Sequence, residues 1–256
     1  MVELTGVEWA LLAVAAGFVG LSKAALPGSN TVSIAIFAAI LPAKQSTGAL
    51  LVLLIVGDLF ALLAYRRHAD WPTLRRLVPT VVGGLLLGVL FLALADDTWV
   101  RRVIGVILLL VIGVTLLRRW AAARAQRRDP TVDVAQSDSG RRWLTRGYGT
   151  LGGFTTMVAN AGGPVMSMYF IASRFPVKRF LGTSAWFFAI VNLTKVPFSV
   201  GLGLVTGPSL LLDLVLVPMV LLGALGGRWL AGRIRQDVFE RLVIVLTVLG
   251  ALNLVR

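Results

Sequence analysis

Apolar runs of roughly twenty residues recur from one end of the chain to the other with no long polar domain between them, and this restricts the fold more than any other feature. Residues 45–65 carry Asp58 as their sole charge, residues 77–95 carry none, and residues 180–200 carry Lys195 alone. As a helix rising about 1.5 Å per residue, each run crosses the ~30 Å hydrocarbon core of a bilayer. A soluble protein hides such runs only inside a large core, and 256 residues cannot cover so many of them on all sides. With 57% of residues hydrophobic and 14% charged, the composition is that of an all-α polytopic membrane protein whose main solvent is the lipid bilayer.

The net charge of +13 comes from Arg residues clustered beside the apolar runs, which fits cytoplasmic loops and argues against a nucleic-acid partner. The chain has no Cys and a single His, His68, so thiol chemistry and a His or Cys metal site are excluded, and neither a metal nor a cofactor is expected. The N-terminus lacks the basic stretch of a signal peptide and runs directly into membrane sequence, so it is expected to be retained.

The chain also repeats itself. LPAKQSTGALLVLLIVGDLF from Leu41 matches FPVKRFLGTSAWFFAIVNLT from Phe175, pairing Pro42 with Pro176, Lys44 with Lys178, Gly48 with Gly182 and Asp58 with Asn192 at one offset. LVPTVVGGLLLG from Leu77 then matches LVPMVLLGALGG from Leu216, and DTWVRRVIGVILL from Asp97 matches DVFERLVIVLTVL from Asp237. Blocks repeating in the same order predict two transmembrane halves, 1–120 and 146–256, joined by a polar cytoplasmic linker at 121–145. Basic charge marks 66–76, the linker, 173–179 and 228–241, whereas 95–97 and 201–209 carry no basic residue. Corresponding loops thus carry opposite biases, which predicts an inverted repeat of about eight transmembrane segments, with 146–175 leaving and returning on the cytoplasmic side as two short legs.

Each half contains a break. SKAALPGSNT from Ser22 precedes a second apolar leg ending near Leu41, and NAGGP from Asn160 interrupts TTMVANAGGPVMSMY. Open backbone at membrane depth survives only against protein or a wet cavity, and paired broken helices in an inverted repeat point to a transport site. A helix starting there presents unpaired N–H groups and the positive end of its dipole, which favours an anion. The candidate binding residues are therefore Gly28, Ser29, Asn30 and Thr31 in the first half, and Asn160, Gly162, Gly163 and Ser167 in the second. Asn192 and Lys195 share a helix face at i and i+3, and Lys23 immediately precedes the first break, so both lysines extend the candidate anion site. Asp58, buried in its run, serves either as a coupling site for a transported proton or as the counter-charge of Lys195 or Lys23. Asp213 is expected to lie shallow near a helix start, and Trp186, Phe187 and Phe188 are expected to face lipid or the core rather than a permeation path.

GFVGLSKAALPG from Gly17, GTLGGFTTMVANAGGPVMSMYF from Gly149 and the following RFPVKRFLGTSAWFFAIVNLTK resemble the TauE/SafE family of membrane transporters, over almost the whole chain. The resemblance implies a polytopic exporter of a small sulfur-containing anion, sulfite or an organosulfonate such as sulfoacetate, in the bacterial inner membrane. The first break departs from the family's usual form in having fewer consecutive glycines and carrying Lys23. The expected mechanism is alternating access, the anion being held by half-helix N-termini and lysines. A cation or metal permease would want several acidic or His ligands in the helices, and a membrane scaffold would leave the paired breaks without a role.

Overall fold

The protein is described by a computed structural model covering residues 4–24, 29–126, 138–172, 175 and 177–230. These form α1 (Gly6–Ala24), α2 (Asn30–Ile40), α3 (Ala43–Tyr65), a 3-10 turn (Arg66–His68), α4 (Trp71–Leu94), α5 (Asp97–Gln126), α6 (Asp138–Ala159), α7 (Gly162–Ala172), α8 (Val177–Gly201) and α9 (Gly207–Leu230), with no strand among the described residues. Four described segments are long and apolar enough to cross a bilayer: Gly6–Ala24, Ala43–His68, Trp71–Leu94 and Gly207–Gly227. The chain is a multi-pass membrane protein. Leu63, Leu86, Leu90, Leu94, Leu214 and Leu222 are all exposed, a face that suits hydrocarbon and not water.

Local chemistry starts these helices where the sequence changes character. Thr5 and Glu8 form a capping box at α1, the Glu8 carboxylate accepting from Thr5 N–H at 2.8 Å and Thr5 Oγ1 accepting from Glu8 N–H at 3.3 Å. Asp70 caps α4 by accepting from Thr73 N–H at 2.8 Å, with a proline in the first turn. α3 begins at Pro42 without a side-chain cap of its own, and Asp97 of α5 supplies one, accepting from Ala43 N–H at 3.1 Å and Lys44 N–H at 3.0 Å.

Helices are interrupted at both breaks. α1 stops at Ala24, before residues 25–28, which lie outside the described set, and α6 stops at Ala159, two residues before α7. The second leg is 11 residues in each case, about 16 Å, or roughly half a crossing. Ser29 and Ser33 donate to the carbonyls of Phe18 and Ala15 at 3.3 and 2.7 Å, so α2 folds back antiparallel along α1. The expectation of two short legs over 146–175 holds for α7 only. α6 is 22 residues, because the helix begins at Asp138 inside the polar linker, and α5 likewise extends into it as far as Gln126.

Small residues bring two helix pairs together. In α1 against α9, a Cβ at Gly20 would strike the backbone of Val220 and Ala224, and one at Gly223 the backbone of Gly17. In α4 against α6, Gly84 meets the backbone of Thr150 and Phe154, and Gly153 meets that of Val81 and Leu85. Both pairs run parallel. Gly20 with Ala24, Gly223 with Gly227, Gly84 with Gly88 and Gly149 with Gly153 each have the four-residue small-xxx-small spacing. In lipid, where burying apolar surface gives little drive for association, such close approach is what holds helices together.

Between these pairs α3 and α8 run antiparallel. At one end Gly182 fits against His68, Asp70 N–H donates to Thr183 Oγ1 at 2.9 Å, Arg179 pairs with Asp70, and Trp186 Nε1 donates to the Arg66 carbonyl at 3.1 Å. At the other end Gly48 of α3 fits against the Leu204 backbone after α8. Their centres meet at Asp58 and Asn192, two positions that the internal repeat aligns with each other.

Candidate functional site

The second break is built around Asn160. Its φ of +53° puts it in the left-handed region, which Asn adopts more readily than most non-glycine residues and which commonly ends a helix. The N–H groups of Asn160 and Ala161 turn back to the carbonyls of Thr156 and Thr155, both at 3.1 Å. Gly162 and Gly163 then open α7, and Pro164 sits in its first turn, where a missing N–H costs nothing.

Ending α6 at this depth leaves carbonyls near its end open to further donors, and three other helices supply them. Lys195 Nζ of α8 donates to the Thr156 carbonyl at 2.6 Å and to Asn160 Oδ1 at 2.5 Å. Thr47 Oγ1 of α3 donates to the Val158 carbonyl at 3.0 Å, and Asn30 Nδ2 of α2 to the Asn160 carbonyl at 3.1 Å. Asn160 Nδ2 in turn donates to the Thr47 carbonyl at 2.9 Å. Lys195 is completely buried, at 0% exposure, and its ammonium lies at the negative end of the α6 dipole.

A second cluster lies at the first break. Lys23, in the last turn of α1, donates to Asp58 Oδ1 at 2.5 Å, and its Nζ stands 4.6 Å from the ring centroid of Phe188. Asn192 Nδ2 donates to the other carboxylate oxygen, Asp58 Oδ2, at 2.6 Å. Gly57 makes the approach possible, since a Cβ there would lie 2.9 Å from Lys23 Cγ. Of the two lysines that sequence offered to Asp58, the structure pairs it with Lys23.

A cavity of about 50 Å³ opens between the two clusters, several times the space that one water needs. Lys23, Asn30, Asp58, Asn160, Gly163, Ser167 and Asn192, all anticipated from sequence, line it together. The remaining candidates lie elsewhere. Lys195 stands behind Asn160 and Thr156 and does not line the cavity. Ser29 bonds to α1, Thr31 is buried in α2, and Gly162 packs on Thr156, where a Cβ would meet the Thr156 Cβ at 2.8 Å. Gly163 differs from its neighbour, because nothing lies within 4 Å of the place a Cβ would take. Gly28 falls outside the described residues.

Sequence reading missed Ser22, Ser184, Thr156 and Phe188, which also line the cavity. Ser22 and Ser184 lie within stretches already quoted, and the signal for both was a hydroxyl at a break or a small-residue helix start. Phe188 faces the cavity while Phe187 packs edge-on to it and to Phe170 in the core. Asp213, expected to lie shallow, is 1% exposed within α9, and neither of its oxygens has a hydrogen-bond partner among the described residues. It does not line the cavity.

Compared with known proteins, the chain matches the family model described as "Sulfite exporter TauE/SafE" over residues 11–254. No curated protein and no solved structure matches it.

The Lys23–Asp58 pair gives a direct expectation. Lys23→Met strands a buried carboxylate beside Asn192 and is expected to lower stability by about 3–5 kcal/mol. Lys23→Met/Asp58→Asn, which removes both charges, is expected to recover most of that loss. Thermal unfolding of the purified variants in detergent checks this; a double variant no more stable than Lys23→Met alone would show that the two charges do not depend on each other.

Proposed function

The chain belongs to the sulfite exporter TauE/SafE family, and we propose that it exports a small sulfur-containing anion, sulfite or an organosulfonate, by alternating access at the cavity between the two breaks. Membership of the family makes it a membrane transporter and not an enzyme. The observation that carries the substrate site is that residues from both breaks and from the centres of α3 and α8 converge on one cavity. Lys23 contributes an ammonium there, Ser167 a hydroxyl, and Gly163 lies in the first turn of α7, whose N–H groups and dipole favour negative charge.

The same reading makes the halves an inverted repeat of about eight segments in a bacterial inner membrane, with 121–145 as a cytoplasmic linker. Supporting it, the repeat-matched helices α3 and α8 run antiparallel. The close crossings also exchange under the repeat: α1 with α9 corresponds to α6 with α4, each pair joining one helix from each half. Rocking one such pair against the other would expose the cavity to either side. The basic segment 228–241 lies mostly beyond the described residues, so its side is an expectation. Cysteines placed at His68 and Gln236 of this Cys-free chain are expected to react with an impermeant thiol reagent from the same face, and labelling from opposite faces would contradict the inversion.

Asp58 carries the coupling role in this scheme. It holds Lys23. An arriving anion competes for that ammonium, and a proton bound by Asp58 replaces the lost counter-charge, so proton and anion movements become linked. Asp58→Asn keeps an acceptor for Lys23 but removes the proton site. Purified protein in liposomes should export a loaded organosulfonate faster under an imposed pH gradient, and the Asp58→Asn variant should bind the anion yet lose that acceleration. The absence of anion movement by the parent protein would sink the transport reading. Undiminished gradient response in Asp58→Asn would remove Asp58 from coupling and leave transport standing.

A further inference from the structure

α3 and α8 line the cavity with different stretches of their length. α8 contributes Leu181, Ser184, Ala185, Phe188 and Asn192, from near its start to its centre, and α3 contributes Leu54, Asp58 and Ala61, from its centre toward Tyr65. The helices are antiparallel, with Gly182 against His68, so both stretches run the same way. The cavity extends from Asp58 and Asn192 toward the end of the molecule that carries Arg66–His68.

The offset that aligns Asp58 with Asn192 gives every one of these positions a mate in the other helix. Leu54 is the mate of Phe188, and both line the cavity, as do Asp58 and Asn192 themselves. The outer positions are divided. Leu181, Ser184 and Ala185 have Thr47, Leu50 and Leu51 as mates, and Ala61 has Lys195. These four mates are 3%, 1%, 1% and 0% exposed, and none of them lines the cavity. The two polar ones are held by the end of α6, Thr47 Oγ1 donating to the Val158 carbonyl and Lys195 Nζ to the Thr156 carbonyl and Asn160 Oδ1. Thus the central pairs are shared, while the outer positions are open on one side and sealed against the second break on the other. Two halves of like sequence can each take the arrangement that the other shows, and in an inverted repeat that exchange turns the opening to the opposite face.

We infer that in the opposite-facing state Thr47, Leu50, Leu51 and Lys195 line the path of the anion, in place of Leu181, Ser184, Ala185 and Ala61. This rests on the inverted-repeat transport reading above and names the residues of its second access path. Leu54, Asp58, Phe188 and Asn192 stay at the cavity in both states. Opening the second side parts the end of α6 from α3 and α8, which frees the Lys195 ammonium and the Thr47 hydroxyl to face the path. An ammonium in a partly dehydrated passage attracts an anion more strongly than it does in bulk water. The two lysines therefore act in different states, Lys23 in the one described and Lys195 in the other.

Single cysteines in this Cys-free chain test the path, with labelling by 2-sulfonatoethyl methanethiosulfonate and its trimethylammonium counterpart in right-side-out and inverted membrane vesicles. Leu53→Cys is the control: Leu53 is 0% exposed, and its mate Phe187 packs on Phe170 in the core. Ser184→Cys is expected to react from the face that labels His68→Cys. Leu50→Cys is expected to react from the other face, the one that labels Thr98→Cys, about tenfold or more faster than Leu53→Cys. Relative to the exposed Thr98→Cys, it is expected to favour the anionic reagent by about tenfold, and Lys195→Gln to bring that preference toward unity. Should Leu50→Cys fail to fold, Leu51→Cys carries the same test. If neither variant reacts faster than Leu53→Cys from that face, in a protein that moves sulfite or 2-hydroxyethanesulfonate, the path is overturned and transport stands. Reaction with no preference for the anionic reagent, or with one that Lys195→Gln leaves intact, would remove Lys195 from the path. A parent protein that moves neither anion would defeat the transport reading and the path with it.

Discussion

A helix that ends inside a bilayer exposes carbonyls that neither water nor lipid can satisfy, and in this protein the end of α6 is closed by side chains from three other helices. Lys195, Thr47 and Asn30 donate to the carbonyls of Thr156, Val158 and Asn160. The break is therefore not a loose kink but a joint shared by α2, α3, α6 and α8. Because one residue, Asn160, both turns the chain and bonds to three of these helices, the cavity beside it inherits a defined shape. The position of Lys195 follows from the same need, since an ammonium at a helix C-terminus answers carbonyls and dipole together.

The rest of the architecture keeps this joint at membrane depth. The parallel crossings of α1 on α9 and α4 on α6 bring backbones into contact through glycines, leaving α3 and α8 to meet in the middle. There Asp58 and Asn192 bond directly, and Lys23 completes the carboxylate's partners. Charges at this depth are tolerable because each has a specific partner, and the one partner a solute can displace is the ammonium that faces the cavity. Asp213 stands apart from this logic as a buried carboxyl with no hydrogen-bond partner among the described residues, and nothing there explains it.

Much of this was legible in the sequence, for physical reasons that differ by residue. The breaks announced themselves because Asn, Gly and Pro are poor helix formers in an apolar run, and Asp58 and Lys195 because charge is rare there. The repeat aligned Asp58 with Asn192 before their contact was seen. What stayed hidden depends on how helices rotate and cross. The choice of Lys23 over Lys195 for Asp58 turns on Gly57 making room for a lysine stem, and the division between Phe187 and Phe188 on a rotation of α8 that its nearly uniform hydrophobicity does not signal. The glycine crossings carry a readable four-residue spacing, but which helices they join is long-range information. Lys195 is buried, and its bonds to the Thr156 carbonyl and Asn160 were not foreseen, because a sequence shows the charge and not the carbonyls it will meet.

The claim on which the rest depends is that the cavity between the breaks is where the anion sits. The chain has no native Cys, so single cysteines at Ser184, which lines the cavity, and at Thr98, which is exposed at the start of α5, can be compared directly. The measurement is the rate of modification of each by a small maleimide, with and without saturating 2-hydroxyethanesulfonate. Occupation of the cavity predicts that the Ser184→Cys rate falls by about tenfold while the Thr98→Cys rate does not change. Equal rates with and without an anion that demonstrably stabilises the protein would place the binding site elsewhere and contradict the account.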